Sequence, residues 1–123
     1  MPALANASKR KGDRAELEVQ GILRELLGVP ARRALGAGRK DDVGDISGVP
    51  HTVIQVADRP SDTLRAVREK PLECEAQRLR AWRAQPNAHE TYFAATFVRL
   101  RGGEYRVVLT PEQFATLWRE AAA

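Results

Sequence analysis

The stretch 52–57, Thr-Val-Ile-Gln-Val-Ala, decides the fold. It is β-branched and apolar on both alternating sets of positions. That pattern predicts a strand covered on both faces, at the centre of a sheet. Gln55 alone breaks the apolar run. A polar side chain inside such a strand needs a hydrogen-bond partner, so Gln55 belongs either to a site or to a structural link. Gly48 and Pro50 make a turn just before the strand, and Pro60 ends the region just after it.

On the N-terminal side, residues 44–47 and 31–35 predict two short strands, separated by a glycine-rich, charged loop over 36–42. Further back, Leu17, Ile22, Leu23, Leu26 and Leu27 recur at helical spacing and predict a helix over 13–27, stopped by Gly28 and Pro30. Residues 1–11 read as a polar basic arm ending in Lys9, Arg10 and Lys11, set apart from one domain over 12–123. On the C-terminal side, Ser61 or Asp62 caps a helical region over 64–84. Pro71 predicts a break into two pieces, the second over 72–84. Residues 92–100 and 105–109 predict a hairpin about Arg101, Gly102 and Gly103. Thr110 predicts the cap of a last helix that starts at Pro111, followed by Glu112 and Gln113, with Phe114, Leu117 and Trp118 as its buried face. The order α, three β, α, two β, α implies an α/β fold with a central mixed sheet flanked by helices.

A length of 123 residues suits one compact domain. With 20 Lys and Arg against 16 Asp and Glu, the chain carries a formal charge of +4, which favours acidic partners such as nucleic acid. One cysteine, Cys74, excludes an internal disulfide and a cysteine zinc cluster. It reads as a buried helix residue in a reducing compartment. His51 and His89 are too few for a His-rich metal site. No apolar run reaches membrane-spanning length, and residues 1–10 lack the apolar core of a secretory signal. The expectation is no membrane association and no export by a signal peptide.

Three short motifs carry the chemistry. Lys11-Gly12 precedes Glu16 on the first helix, Gly44-Asp45-Ile46 lies at the turn before the central strand, and that strand reads Ile54-Gln55-Val56-Ala57. In this order and spacing they resemble the PD-(D/E)XK nucleases, specifically the small archaeal-type and phage Holliday junction resolvases. The resemblance extends to Arg32-Arg33-Ala34-Leu35, to the helix with Glu73, Glu75 and Gln77, to the closing hairpin, and to Leu109-Thr110 through Leu117. It implies a restriction-endonuclease-like fold. It also implies Mg²⁺ held by carboxylates on Glu16, on Asp45 and at position 55, with a lysine at position 57 to orient the attacking water.

This chain departs from the pattern at its centre. Gln55 offers a neutral oxygen where a carboxylate belongs, and Ala57 offers nothing. Removing one preorganised charge-stabilising group costs about 3 kcal/mol of transition-state stabilisation. The resemblance therefore implies a relic site of Glu16, Asp45, Gln55 and Ala57, with no cofactor. It implies a non-catalytic resolvase-fold protein serving as a structural component of a phage particle, near DNA in the head-to-tail connector region. The location would be the virion, assembled in the host cytoplasm. The partners would be copies of itself and other phage structural proteins.

The alternative is a Mg²⁺-dependent junction endonuclease with a rearranged site. There Asp45 and Glu16 hold the metal, Asp58, Glu73 or Glu75 adds a carboxylate, and Arg59 or Lys70 adds the cation. A third reading is a protein that grips junctions without cutting. Lys9, Arg10, Lys11, Arg32, Arg33, Arg39 and Lys40 are the candidate phosphate contacts. Arginines over 78–83 read as a solvated helix face, Asp41 and Asp42 as loop solubilisers, and Trp82 and Trp118 as core or interface anchors.

Overall fold

The computed structural model describes residues 2–34, 44–84 and 92–123, the side chains of 2–11 excepted. The elements run α1 (Pro2–Leu27), β1 (Arg32–Arg33), β2 (Ile46–Ser47), β3 (Thr52–Ala57), α2 (Thr63–Arg83), β4 (Phe93–Arg99), β5 (Tyr105–Val108) and α3 (Pro111–Ala122). The five strands form one sheet in the order β1-β2-β3-β4-β5. Only β3 and β4 pair in parallel, with Thr52 opposite Phe93 and Ala57 opposite Val98. The other neighbours are antiparallel, so the sheet is mixed.

Alternation along β3 divides the core. Ile54 joins Val19 and Leu23 of α1, with Ala31, Ile46 and Phe97, on one face. Val53 meets Cys74 of α2 and Ala94 on the other, and Ala57 meets Ala66 of α2 and Val98. The sheet is therefore flanked by helices on both faces. Each buried Val, Ile or Leu contributes roughly 1.5–3 kcal/mol, so β3 anchors both layers.

Four local expectations are corrected. The first helix begins at Pro2, not near residue 13. Proline suits the first helical position, and the alanines and basic residues that follow are good helix formers. The two leading strands shrink to two residues each.

Pro71 does not divide the second helix. An internal proline forfeits one backbone bond and costs about 3 kcal/mol. Here Pro71 is itself buried, Ala66 and Cys74 on either side of it pack on the sheet, and its carbonyl accepts from Gln113 Nε2 at 3.1 Å. Tertiary packing thus holds both halves in line.

Finally, Phe114, Leu117 and Trp118 are 58%, 45% and 61% exposed, and the residue that α3 buries is Gln113. Gln113 Oε1 accepts from Thr110 N at 2.9 Å, and its own N–H donates to Thr110 Oγ1 at 3.1 Å, which completes a capping box. Its Nε2 also donates to Glu75 Oε1 at 3.2 Å. These bonds fix which face of α3 meets α2, and the aromatic stripe points elsewhere.

Gln113→Ala should destabilise the fold by about 1–3 kcal/mol, because it strips a cap and leaves buried groups unpaired. Gln113→Glu should be worse at neutral pH, because it sets a second carboxylate beside Glu75. Urea unfolding of the three proteins at pH 7 gives the order.

Candidate functional site

Gly44 creates the geometry of the Gly44-Asp45 turn. Its φ is +91°, and a Cβ there would lie 2.7 Å from the Ile54 carbonyl oxygen. Only glycine lets the chain come this close to β3. The approach lets Asp45 N donate to Ile54 O at 2.7 Å, while Asp45 O accepts from Ala34 N at 2.9 Å. The Asp45 carboxylate then accepts from Val56 N at 2.8 Å through Oδ2. Burial pushes the Asp45 carboxyl above its ordinary range; the Val56 N–H and the Lys70 ammonium pull it down, and the Glu73 charge pushes it further up.

Glu16 arrives from α1. Its carboxyl is also pushed up, first by burial and then by the Asp45 charge, against the pull of Arg33. Arg33 Nε donates to Glu16 Oε1 at 3.1 Å, and Arg33 Nη2 pairs with Asp13. Arg33 N donates to Gln20 Oε1 at 2.9 Å. Asp13, Glu16 and Gln20 are three and four residues apart and share one helix face, so α1 grips β1 through a single arginine.

The structure thus brings Glu16 and Asp45 into electrostatic contact. It places Gln55 and Ala57 on the face of β3 that α2 covers. Gln55 is 6% exposed, and its Nε2 donates to Gln77 Oε1 at 2.7 Å. Ala57 is 2% exposed, packed with Ala66 and Val98. Gln77 lies on the sheet-facing stripe of α2, three residues past the buried Cys74. A polar residue on a buried stripe is the signal that marks it as a partner for Gln55.

Beyond the end of β3 a groove of about 570 Å³ opens, lined among others by Gly12, Ala57, Asp58, Arg59, Arg65 and Lys70. Lys70 pairs with Glu73 at 3.0 Å, and Arg65 with Glu69 at 3.1 Å. Asp58 continues the side of Val56, as strand alternation expects. Its carboxylate is 2% exposed; Oδ2 accepts from Arg14 at 3.1 Å, and Oδ1 is buried with no hydrogen-bond partner among the described residues. Glu75 is engaged elsewhere, with Arg78 and Gln113.

Of the candidate phosphate contacts, Arg32 is exposed, whereas Arg33 is half-buried in its ion pairs. Arg39 and Lys40 lie outside the described residues, as do the side chains of Lys9, Arg10 and Lys11. Sequence reading missed one further cluster. Glu18 Oε1 accepts from Tyr105 Oη at 2.6 Å and from Arg99 Nε at 2.9 Å, tying α1 to β4 and β5. No spacing in the sequence signals it.

Among the described residues no group of three His, Cys, Asp or Glu side chains is arranged to hold a metal ion. As arranged, the donors at Glu16, Asp45 and Gln55 do not fit Mg²⁺. Glu16 is bound to an arginine, Asp45 Oδ2 to a backbone amide, and position 55 offers only an amide that is turned to Gln77.

The coupling of the two carboxylates is directly testable. In Asp45→Asn the Glu16 carboxyl should titrate lower than in the wild type, because the repelling charge is gone while an amide oxygen still accepts from Val56 N. Carboxyl-detected NMR titration reads this. A Glu16 titration that stays in place would show that burial alone raises it. Asp45→Ala should cost about 1–3 kcal/mol, since it orphans the Val56 N–H.

Comparison with protein-family models, with curated proteins and with solved structures found no match to this chain.

Proposed function

We propose that this chain is a non-catalytic relative of the Holliday junction resolvases, with a restriction-endonuclease-like fold, used as a structural component of a phage particle next to DNA in the head-to-tail connector region. The observation that carries the loss of cutting is the Gln55–Gln77 bond. Where the nuclease pattern puts a metal-binding carboxylate, this chain has an amide joined to a second amide on α2, so the position serves packing. Ala57 supports the same reading, because it fills a close contact with Ala66 and Val98 and offers no cation.

Proximity to DNA is supported by the basic balance and by Arg59, Arg65 and Lys70 along the groove. The setting in a phage particle rests on the sequence resemblance to the phage-type resolvases. A second reading, an endonuclease with a rearranged site, is favoured by one observation: Lys70 lines the groove beside Ala57, and its charge acts on Asp45.

Incubation with a four-way DNA junction and Mg²⁺ or Mn²⁺ separates the two. The wild type and Asp45→Ala should both leave the junction intact. Cleavage by the wild type that disappears in Asp45→Ala would overturn the non-catalytic reading. In binding measurements over a salt series, Arg59→Ala should weaken association uniformly across DNA sequences and lower the salt slope by about 1.

A further inference from the structure

Asp58 carries a carboxylate oxygen that the fold leaves unanswered. Its side chain is 2% exposed. Oδ2 accepts from Arg14 at 3.1 Å, while Oδ1 is buried with no hydrogen-bond partner among the described residues. A buried acceptor without a donor is costly, and native structures keep few of them. Asp58 lies on the wall of the groove of about 570 Å³ beyond β3. Arg14 is half-exposed, so the carboxylate lies just beneath a surface side chain. The groove occupies the carboxyl end of a strand that pairs in parallel with β4 and runs on into α2. Ligands of open α/β sheets collect at such strand ends, and the volume is in the range of small-molecule sites.

The other walls of the groove narrow the choice of donor. Arg59 and Arg65 are exposed along it, and Lys70 lines it as well. Arg65 and Lys70 each have a carboxylate partner one turn on; Arg59 is in no ion pair among the described residues. Asp62, the second carboxylate on the groove, is engaged in capping α2 through the Arg65 amide. Val56 and Pro60 add apolar surface. A ligand that answers all of these carries a negative charge, an apolar ring face and a hydrogen-bond donor. A nucleotide does so, with its phosphate for the arginines and its base for the apolar wall and Asp58. A base held in a duplex stack does not enter such a groove; an unpaired one does. A carboxylate can only accept, which selects an amine on the base. Cytosine and adenine offer one. Uracil and thymine offer a single N–H between two carbonyl oxygens, which a carboxylate repels.

We propose that the groove is a site for one unpaired nucleotide with an amine-bearing base, cytosine or adenine. The amine donates to Asp58 Oδ1, and the phosphate meets Arg59 and Arg65. The choice of a phosphate-bearing ligand rests on the DNA-proximal reading above.

Fluorescence anisotropy of the full chain with short labelled oligo-dC and oligo-dU at neutral pH tests it, because the two strands differ only at the base edge offered to Asp58. The wild type should bind oligo-dC at least about 10-fold more tightly, as expected for one hydrogen bond to a charged group. Asp58→Asn should erase or reverse that ratio, because its amide donates to a uracil carbonyl and can still accept from Arg14. Arg65→Ala should weaken both strands alike and keep the ratio. Calorimetry with cytidine monophosphate identifies the source. Saturable binding that Asp58→Asn abolishes assigns the site to a free nucleotide, and binding of oligo-dC alone assigns it to a strand; either result supports the site. Equal affinity for oligo-dC and oligo-dU overturns the proposal, and so does a preference that survives Asp58→Asn. In both cases the DNA-proximal reading stands as long as the protein still binds duplex. Binding of cytidine monophosphate with no binding of strand or duplex keeps the site and overturns the DNA-proximal reading. No binding of any probe overturns both.

Discussion

The parallel pairing of β3 with β4 is the constraint on which the rest of the structure depends. Parallel neighbours cannot be joined by a tight turn, so the chain must cross a face of the sheet between them, and α2 makes that crossing. With α2 on one face and α1 on the other, β3 is sealed from water along most of its length. A polar atom that enters this layer costs free energy unless it is paired. Gln55 meets that demand through Gln77. Asp45 meets it through the Val56 amide, which it reaches only because Gly44 admits the close approach. The same crossing brings the charges of Lys70 and Glu73 to bear on Asp45.

Two kinds of carboxylate result, with opposite consequences for acid stability. Asp45 and Glu16 have their pKa values raised on folding, chiefly by burial. A carboxyl raised in the folded state contributes stability in acid and loses that contribution as pH climbs through its folded value. Glu18 is lowered, first by the Tyr105 hydroxyl and also by Arg99. It therefore contributes at neutral pH and loses the contribution as pH falls through its folded value. Glu18 lies only two residues after Glu16 but about 200° round the helix, so it meets β4 and β5 where Glu16 meets β1. One helix therefore carries a carboxylate raised by burial beside one stabilised by its hydrogen bonds.

Much of the fold was legible because its signals are local. The β-branched run over 52–57 is the buried strand expected of it, the glycine turn near 102 joins β4 to β5, and Thr110 caps α3 through Gln113. The misjudged features were those in which tertiary contacts outweigh a local rule. Pro71 breaks an isolated helix, yet it survives inside α2 because packing on the sheet outweighs one missing bond. The Phe114, Leu117 and Trp118 stripe has the periodicity of a core face, but periodicity does not say which side of a helix a neighbour will occupy.

By itself the sequence determined the α/β class, the central strand, and the absence of an acid at position 55 and of a lysine at position 57, because residue chemistry and short-range pattern suffice for these. Only the tertiary structure decided what became of those positions. It turned Gln55 to Gln77, closed Ala57 against Ala66, paired Glu16 with Arg33, and left the aromatic stripe of α3 facing outward. Each of these outcomes depends on which elements meet across the sheet, and that is set by burial summed over the whole chain rather than by the residues on either side.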